Sequence, residues 1–169
     1  HLREDRRHIQ ERDVRLLRGI VTTHLNMEMA PVPEMIQLAI DIQPDMVTLV
    51  PEHREEVTTE GGLNVAARID DLTKTVAAFK NNDIAVSVFI DPDTDQVKAA
   101  KKIGADFAEF HTGHFANAFD LGSAADVDRE FAAIQDMTVL ARKYGLRVNA
   151  GHGLNYRNVG YIASIDGIE

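Results

Sequence analysis

Short apolar segments alternate with segments of helical periodicity along the chain, and this alternation constrains the fold more than any other feature of the sequence. Apolar runs of strand length, such as residues 46–50 and 84–90, are followed by stretches with apolar residues three and four apart. The pattern is typical of α/β proteins, in which helices cover a parallel sheet. No linker or low-complexity segment interrupts it, so we expect residues 1–169 to form a single domain.

The pattern predicts strands and helices in alternating order. The predicted strands are residues 24–29, 46–50, 84–90, 106–110 and 146–149. The first main helix is predicted near residues 12–19, the second begins near residue 33, the third ends near residue 80 and the fourth ends before residue 104. The fifth spans about 124–144, and the last ends near residue 164. A short extra helix is predicted at 116–121. Asp91, with Pro92 in the first turn, is expected to cap the fourth main helix, and Asn155 is expected to cap the last one.

Polar or charged side chains lie at the ends of nearly all predicted strands: Glu28, Glu52, Asp91, Glu109, His111, Asn149 and His152. In a (β/α)8 barrel these positions converge at one end, where the active site lies, whereas an open doubly wound sheet concentrates chemistry at one crevice. We therefore predict a (β/α)8 TIM barrel. A complete barrel typically needs ~250 residues, so a chain of this length predicts an incomplete barrel whose two ends are truncated.

Charge and composition exclude several functional classes. The chain has 18 basic and 27 acidic residues, a net charge of −9, which argues against nucleic acid or an anionic membrane as a partner. It has no cysteine, which excludes disulfides, thiolate catalysis and zinc sites built on sulfur. No apolar run approaches the roughly 18 residues of a membrane span, and a cytoplasmic location is expected.

The first eight residues and Glu28 are candidates for proton transfer. The segment from His1 to His8 has two imidazoles and three arginines, which suits phosphate binding beside a proton-transferring histidine, although a solvated basic turn has the same composition. Glu28 lies in a strand between two methionines, where a carboxylate can act as a base near neutrality or be held in a salt bridge.

Two further segments have open interpretations. The segment from Glu52 to Gly62 has the polarity and glycines of a lid, or of a solvated loop in which Thr58 or Thr59 caps the next helix. In the segment from Glu109 to His114, two histidines and a carboxylate could bind a metal ion. Metal ligands usually need a more fixed spacing than a strand end and a glycine turn provide, so an electrostatic role for Glu109 is favoured.

A glycine turn with a histidine, Gly151-His152-Gly153, follows the last predicted strand. The backbone amides of such a turn can face an anion, and a tight turn with an incidental histidine is the alternative.

Taken together, these motifs resemble pyridoxine 5'-phosphate synthases in order along the whole chain. The similar segments are HLREDRRHI at 1–9, NMEM at 26–29, VPE at 50–52, EVTTEGGL at 56–63, EFHTG at 109–113 and VNAGHGL at 148–154. The resemblance implies a (β/α)8 barrel that condenses 3-amino-2-oxopropyl phosphate with 1-deoxy-D-xylulose 5-phosphate and releases inorganic phosphate and water. The family's first strand and its final strand and helix have no counterpart in the chain.

The resemblance also implies a role for individual residues. By position, His1 and Glu28 match proton acceptors, His152 matches the proton donor, and Glu109 matches the residue that stabilises the transition state. The substrate contacts are Arg3, His8 and Thr58 for the deoxyxylulose phosphate and Gly153 for the amino-ketone phosphate. A homo-oligomer is implied, and no cofactor or metal is expected because the reaction has no redox step.

Two alternative functions remain at this stage. One is a metal-dependent TIM-barrel aldolase or epimerase acting on a phosphorylated sugar, with His111, His114, Glu28 and Glu109 as ligands. The other is a non-catalytic protein that binds phosphorylated metabolites, although a binding protein does not need two carboxylates and two histidines at strand ends.

Overall fold

Five parallel strands form one sheet in the order in which they occur along the chain. The computed structural model describes residues 1–52 and 61–169. The strands are β1 (Asn26–Met29), β2 (Met46–Leu49), β3 (Ala85–Ile90), β4 (Phe107–His111) and β5 (Arg147–Gly151). All neighbouring strands are parallel, and among the described residues β1 and β5 do not pair, so the sheet is open. This α/β architecture agrees with the predicted incomplete barrel.

Helices connect the strands. They are α1 (Glu11–Ile20), α2 (Pro33–Ile42), α3 (Ile69–Lys80), α4 (Thr94–Lys102), α5 (Gly113–Leu121), α6 (Ala124–Lys143) and α7 (Val159–Ala163), with a 3₁₀ turn (Ala66–Arg68) before α3. After α7 the chain returns to the sheet, where the N–H of Glu169 donates to the carbonyl of Val148 on β5 at 2.9 Å. No helix in the described ranges is long and apolar enough to cross a membrane.

Side chains alternate between two faces of the sheet, and the faces differ in polarity. One face is apolar and packs in the same core as the buried helix residues. Its buried members are Met27, Met29, Val47, Leu49, Val86, Val88, Ile90, Ala108, Phe110 and Val148. The other face carries Glu28 beside Thr48 and Ser87, and Phe89 beside Glu109 and Asn149. Glu28 therefore points away from the two methionines that flank it.

Two predicted helix caps are wrong. Asp93, not Asp91, caps α4, because its side chain accepts hydrogen bonds from the N–H groups of Asp95 and Gln96. The carboxylate of Asp91 instead accepts the N–H of Gly62 at 3.0 Å.

At the last helix, Asn155 forms a local turn rather than a cap. Its side chain accepts the N–H of Arg157 at 2.9 Å, and α7 begins four residues after it, at Val159. The Asn158 side chain accepts the N–H of Asn155 at 2.7 Å and closes the same turn. The extra helix predicted at 116–121 is present and begins earlier, as α5.

The cap of α4 gives a stability prediction. Asp93→Ala removes the acceptor for two N–H groups in the first turn, so the free energy of unfolding is expected to fall by about 1 kcal/mol. Asp95→Ala is the control, because the Asp95 side chain accepts none of the first-turn hydrogen bonds of α4. Urea denaturation of both variants measures the effect, and an equal loss in the two would contradict the assignment of the cap.

Candidate active site

Two carboxylates from different strands share one cavity on the polar face of the sheet. The cavity has a volume of about 220 Å³ and is lined by Glu28, Val50, Phe89, Glu109 and His152. Glu28 belongs to β1 and Glu109 to β4, and His152 directly follows β5. Three of the predicted catalytic residues are therefore brought together by strand ends, as the barrel geometry predicts.

Glu109 is the more deeply buried of the two carboxylates. Burial and, to a smaller extent, the charge of Glu28 together raise the pKa of Glu109 to about 7. Gly151 makes room for the side chain, since a Cβ there would lie 2.8 Å from Oε1 of Glu109. A carboxyl group with a pKa near 7 can both hold and release a proton at neutral pH.

His1 lies next to Glu28, one of the cavity residues, because the N-terminal segment is anchored to β1. The N–H of the buried Leu2 donates to the carbonyl of Glu28 at 3.1 Å. Nδ1 of His1 lies 3.7 Å from Oε2 of Glu28, and Nε2 lies 2.9 Å from Oε1 of Glu52. The N–H of Glu4 donates to the second oxygen of Glu52, at 2.9 Å. The histidine is thus held between two carboxylates.

Glu52 was named among the polar residues at strand ends, but the sequence analysis gave it no role. Its side chain is 5% exposed, and it joins His1 to the backbone of the N-terminal segment. The sequence signal that could have assigned Glu52 was its place shortly after β2. Two other acidic residues at strand ends, Glu28 and Glu109, line the cavity.

The turn at His152 has an unusual backbone that is fixed from β4. His152 has a φ of +86°, which side chains other than glycine rarely adopt, and Gly153 has a φ of +74°. The buried hydroxyl of Thr112 lies 2.8 Å from the carbonyl oxygen of Gly151 and 2.6 Å from that of His152, and donates to this pair. The N–H of Thr112 also donates to the carbonyl of Gly151, at 2.9 Å.

The His152 ring lies against two other rings. Its centroid is 4.9 Å from that of His111 and 6.3 Å from that of Phe89. Burial lowers the pKa of His152, and so does His111, while the charge of Glu28 raises it. A histidine with a lowered pKa is a stronger acid, which suits a proton donor.

The predicted substrate-binding residues are less uniform in position. Arg3 is buried and lines a second cavity, of about 170 Å³, together with Glu52. His8 is exposed and makes no hydrogen bond or ion pair with any described residue. Gly153 packs against α5, because a Cβ there would lie 2.8 Å from the Cβ of Ala116. Thr58 and most of the predicted lid lie outside the described residues.

With Asn155 as its cap, the last helix was expected to begin next to the glycine turn, but it begins further along the chain. Helix α7 has five residues and begins six residues after Gly153. The element that contacts the turn is the start of α5, through Thr112 and Ala116.

The metal-dependent alternative is not favoured by the geometry. Within residues 1–52 and 61–169, no three or more His, Asp or Glu side chains are grouped so that they could hold a metal ion. The four residues considered as ligands, His111, His114, Glu28 and Glu109, therefore do not form such a group.

The buried carboxyl of Glu109 predicts a pH-dependent stability. Because its pKa is about 7 in the native state and 4.5 ordinarily, its contribution is fully present below pH 4.5 and is lost as the pH rises through about 7. At about 1.4 kcal/mol for each pH unit, the loss approaches about 3 kcal/mol. Glu109→Gln removes this titration, so the variant is expected to gain stability over the wild type between pH 5 and pH 8.

Urea denaturation at pH 5, 6, 7 and 8 measures this difference. Glu130→Gln, on helix α6, is the matched control and is expected to follow the wild type at every pH. Parallel curves for Glu109→Gln and the wild type would contradict a raised pKa at Glu109.

A solved structure shares the fold. The xylose isomerase domain protein from Planctomyces limnophilus is similar with a TM-score of 0.54 and 13% identity. The match covers 86% of this chain and 61% of that chain, so this chain spans less than two thirds of its length.

Sequence relatives are far more similar. Three proteins named pyridoxine 5'-phosphate synthase match 100% of the chain: those of Thermosynechococcus vestitus at 59% identity, Geotalea daltonii at 53% and Synechocystis sp. at 53%. The chain covers 70%, 70% and 69% of their lengths, respectively. The family model described as pyridoxal phosphate biosynthesis protein PdxJ matches residues 1–169. The chain therefore belongs to the PdxJ family.

Proposed function

We propose that the protein is a pyridoxine 5'-phosphate synthase that condenses 3-amino-2-oxopropyl phosphate with 1-deoxy-D-xylulose 5-phosphate. The relatives carry this name over the full length of the chain. The observation that carries the proposal is the grouping of Glu28, Glu109 and His152 around one cavity, with His1 in contact with Glu28. These are four acid–base groups from separate parts of the chain.

The chemistry needs proton transfers and no redox step. An amine and a ketone form an imine with loss of water, inorganic phosphate is then eliminated, and the pyridine ring closes. Each step moves protons between carbon, nitrogen and oxygen, for which carboxyl and imidazole groups suffice. The reaction therefore requires no cofactor.

Two neighbouring groups are proposed as proton acceptors. His1 is the first, and its contact with Glu52 supports this role because a carboxylate stabilises the imidazolium that forms when the ring takes a proton. Glu28 is the second. Its side chain is 44% exposed at the cavity, so substrate can reach it and it can return its proton to water.

His152 and Glu109 are proposed to act on the other side of the cavity. His152 donates a proton, which its lowered pKa supports. Glu109, with a pKa of about 7, stabilises positive charge on a nitrogen of the reacting substrate by releasing its own proton as that charge develops.

The phosphate groups are assigned to the predicted substrate contacts. Arg3, His8 and Thr58 are proposed to bind the deoxyxylulose phosphate, and the Gly153 amide to bind the amino-ketone phosphate. The buried Arg3 supports the first assignment because its segment also carries His1, which contacts Glu28. His8 would have to approach the other groups when substrate binds.

The remaining proposals follow from the family resemblance. We infer that residues 1–169 form one barrel unit that works as a homo-oligomer in the cytoplasm. Its partners are small phosphorylated molecules, with inorganic phosphate as a product, rather than nucleic acid or membrane. The net charge of −9 supports the last point.

The proposed function is tested directly by product formation. Purified protein incubated with both phosphates is expected to form pyridoxine 5'-phosphate and to release inorganic phosphate in equal amounts, measured by chromatography and by a phosphate assay. The protein from Thermosynechococcus vestitus serves as the positive control. Product from the control alone would overturn the proposal.

The role of Glu28 is tested by a conservative substitution. Glu28→Gln keeps the shape of the side chain and removes its basicity, so kcat is expected to fall roughly 10²- to 10⁴-fold with little change in KM. Glu130→Gln on α6 is the control and should keep full activity. A kcat within twofold of the wild type in Glu28→Gln would rule out the role.

A further inference from the structure

We propose that His111, held by Asp91, is a positioning residue that fixes the His152 ring at the cavity and sets the charge that faces it. The proposal rests on the proposed function, in which His152 is the proton donor. It adds two residues, a buried imidazole and a carboxylate at the end of β3, that act on the reaction only through His152.

The first observation is that the two imidazoles pack against each other in a tilted arrangement. Their centroids are 4.9 Å apart and their planes are tilted by 33°, while Phe89 contacts His111 edge-on at 5.3 Å. His111 is 3% exposed, so its ring cannot move away from His152 into solvent. His111 lies on the same face of β4 as Glu109, which precedes it by two residues.

The second observation is that this ring packing requires a glycine at position 113. A Cβ on Gly113 would lie 2.7 Å from Cε1 of His111 and 3.2 Å from Cδ2 of His152. Any other residue at this position would push the two rings apart. The absence of a side chain at Gly113 leaves room for the two rings. The Thr112 hydroxyl, which donates to the carbonyl of His152, fixes the backbone that carries the second ring.

The third observation is the place of Asp91. Its Oδ1 lies 3.4 Å from Nδ1 of His111 and accepts the N–H of Gly62 at 3.0 Å. The neighbouring His111 and the Gly62 N–H hold the pKa of Asp91 below its ordinary value. The carboxylate is therefore charged and is fixed by the Gly62 backbone beside the His111 ring.

These contacts define the charges around His152. From β4 it faces His111 and Glu109, and from β1 it faces Glu28, while His114 on α5 lies beside His111 with centroids 5.7 Å apart. Positive charge at His111 opposes protonation of the His152 ring 4.9 Å away. His111 thus makes His152 a stronger acid, in the direction that burial already sets.

The test is a titration of the His152 ring by NMR with ¹³C-labelled histidine, in which His152→Asn assigns the signal. His111→Phe keeps an aromatic ring and removes the titratable nitrogens, so the midpoint of the His152 titration is expected to rise. Asp91→Asn keeps an acceptor for the Gly62 N–H and removes the negative charge that lies 3.4 Å from Nδ1 of His111 and favours positive charge on that ring, so a smaller rise is expected. An unchanged or lowered midpoint in folded His111→Phe would overturn the proposal.

Two further measurements make the test decisive. Asp95→Asn, an exposed carboxylate on α4, undergoes the same chemical change as Asp91→Asn and is expected to leave the midpoint and kcat unchanged. If His111→Phe does not fold, the Asp91→Asn titration decides, and a midpoint equal to that of Asp95→Asn would overturn the proposal.

In the activity assay, kcat of His111→Phe is expected to fall roughly 10- to 100-fold with little change in KM, because a small misplacement of a proton donor has a large effect. The alkaline limb of its pH profile should move up together with the NMR midpoint. The titration needs no turnover, so a shifted midpoint in a protein without synthase activity would refute the proposed function and leave the effect of His111 on His152 in place.

Discussion

The two-residue alternation of side chains along five parallel strands is the constraint on which the rest of the structure depends. Met27 and Met29 pack against the helices, so Glu28 between them must point to the opposite face. The same rule places Glu109 between the buried Ala108 and Phe110. Hydrophobic burial on one face therefore holds both carboxylates on the other face, without any direct interaction that favours their being close.

The cavity gives two glutamate side chains different environments. Glu28 and Glu109 are both glutamates, yet Glu28 is 44% exposed while burial and the charge of Glu28 raise the pKa of Glu109 to about 7. At neutral pH such a pair readily holds one charge and resists holding two. A site that must take up and release protons in turn gains from this difference, and the cost is a native state that becomes less stable as Glu109 ionises.

The sequence predicted the order of strands and helices because each strand is an apolar run bounded by polar residues. It also placed Glu28, Glu109 and His152 at strand ends, and the structure brings these three together. It could not show that Asp91 turns to Gly62 and His111, since this depends on the distance between β3, β4 and a segment before α3. Nor could it separate Asn155 from Asn158 as caps, because both residue types suit either position.

Close packing, more than the number of polar groups, decides where the protons can move. Gly113 lets the rings of His111 and His152 approach to 4.9 Å, and Gly151 lets the carboxylate of Glu109 lie against β5. Thr112 holds the left-handed backbone of His152 through two carbonyls. A side chain added at Gly113 or Gly151 would remove no acid–base group from the chain. It would still displace these groups, because its Cβ would overlap with them. The small residues between the functional ones are therefore as necessary to the site as the residues that carry charge.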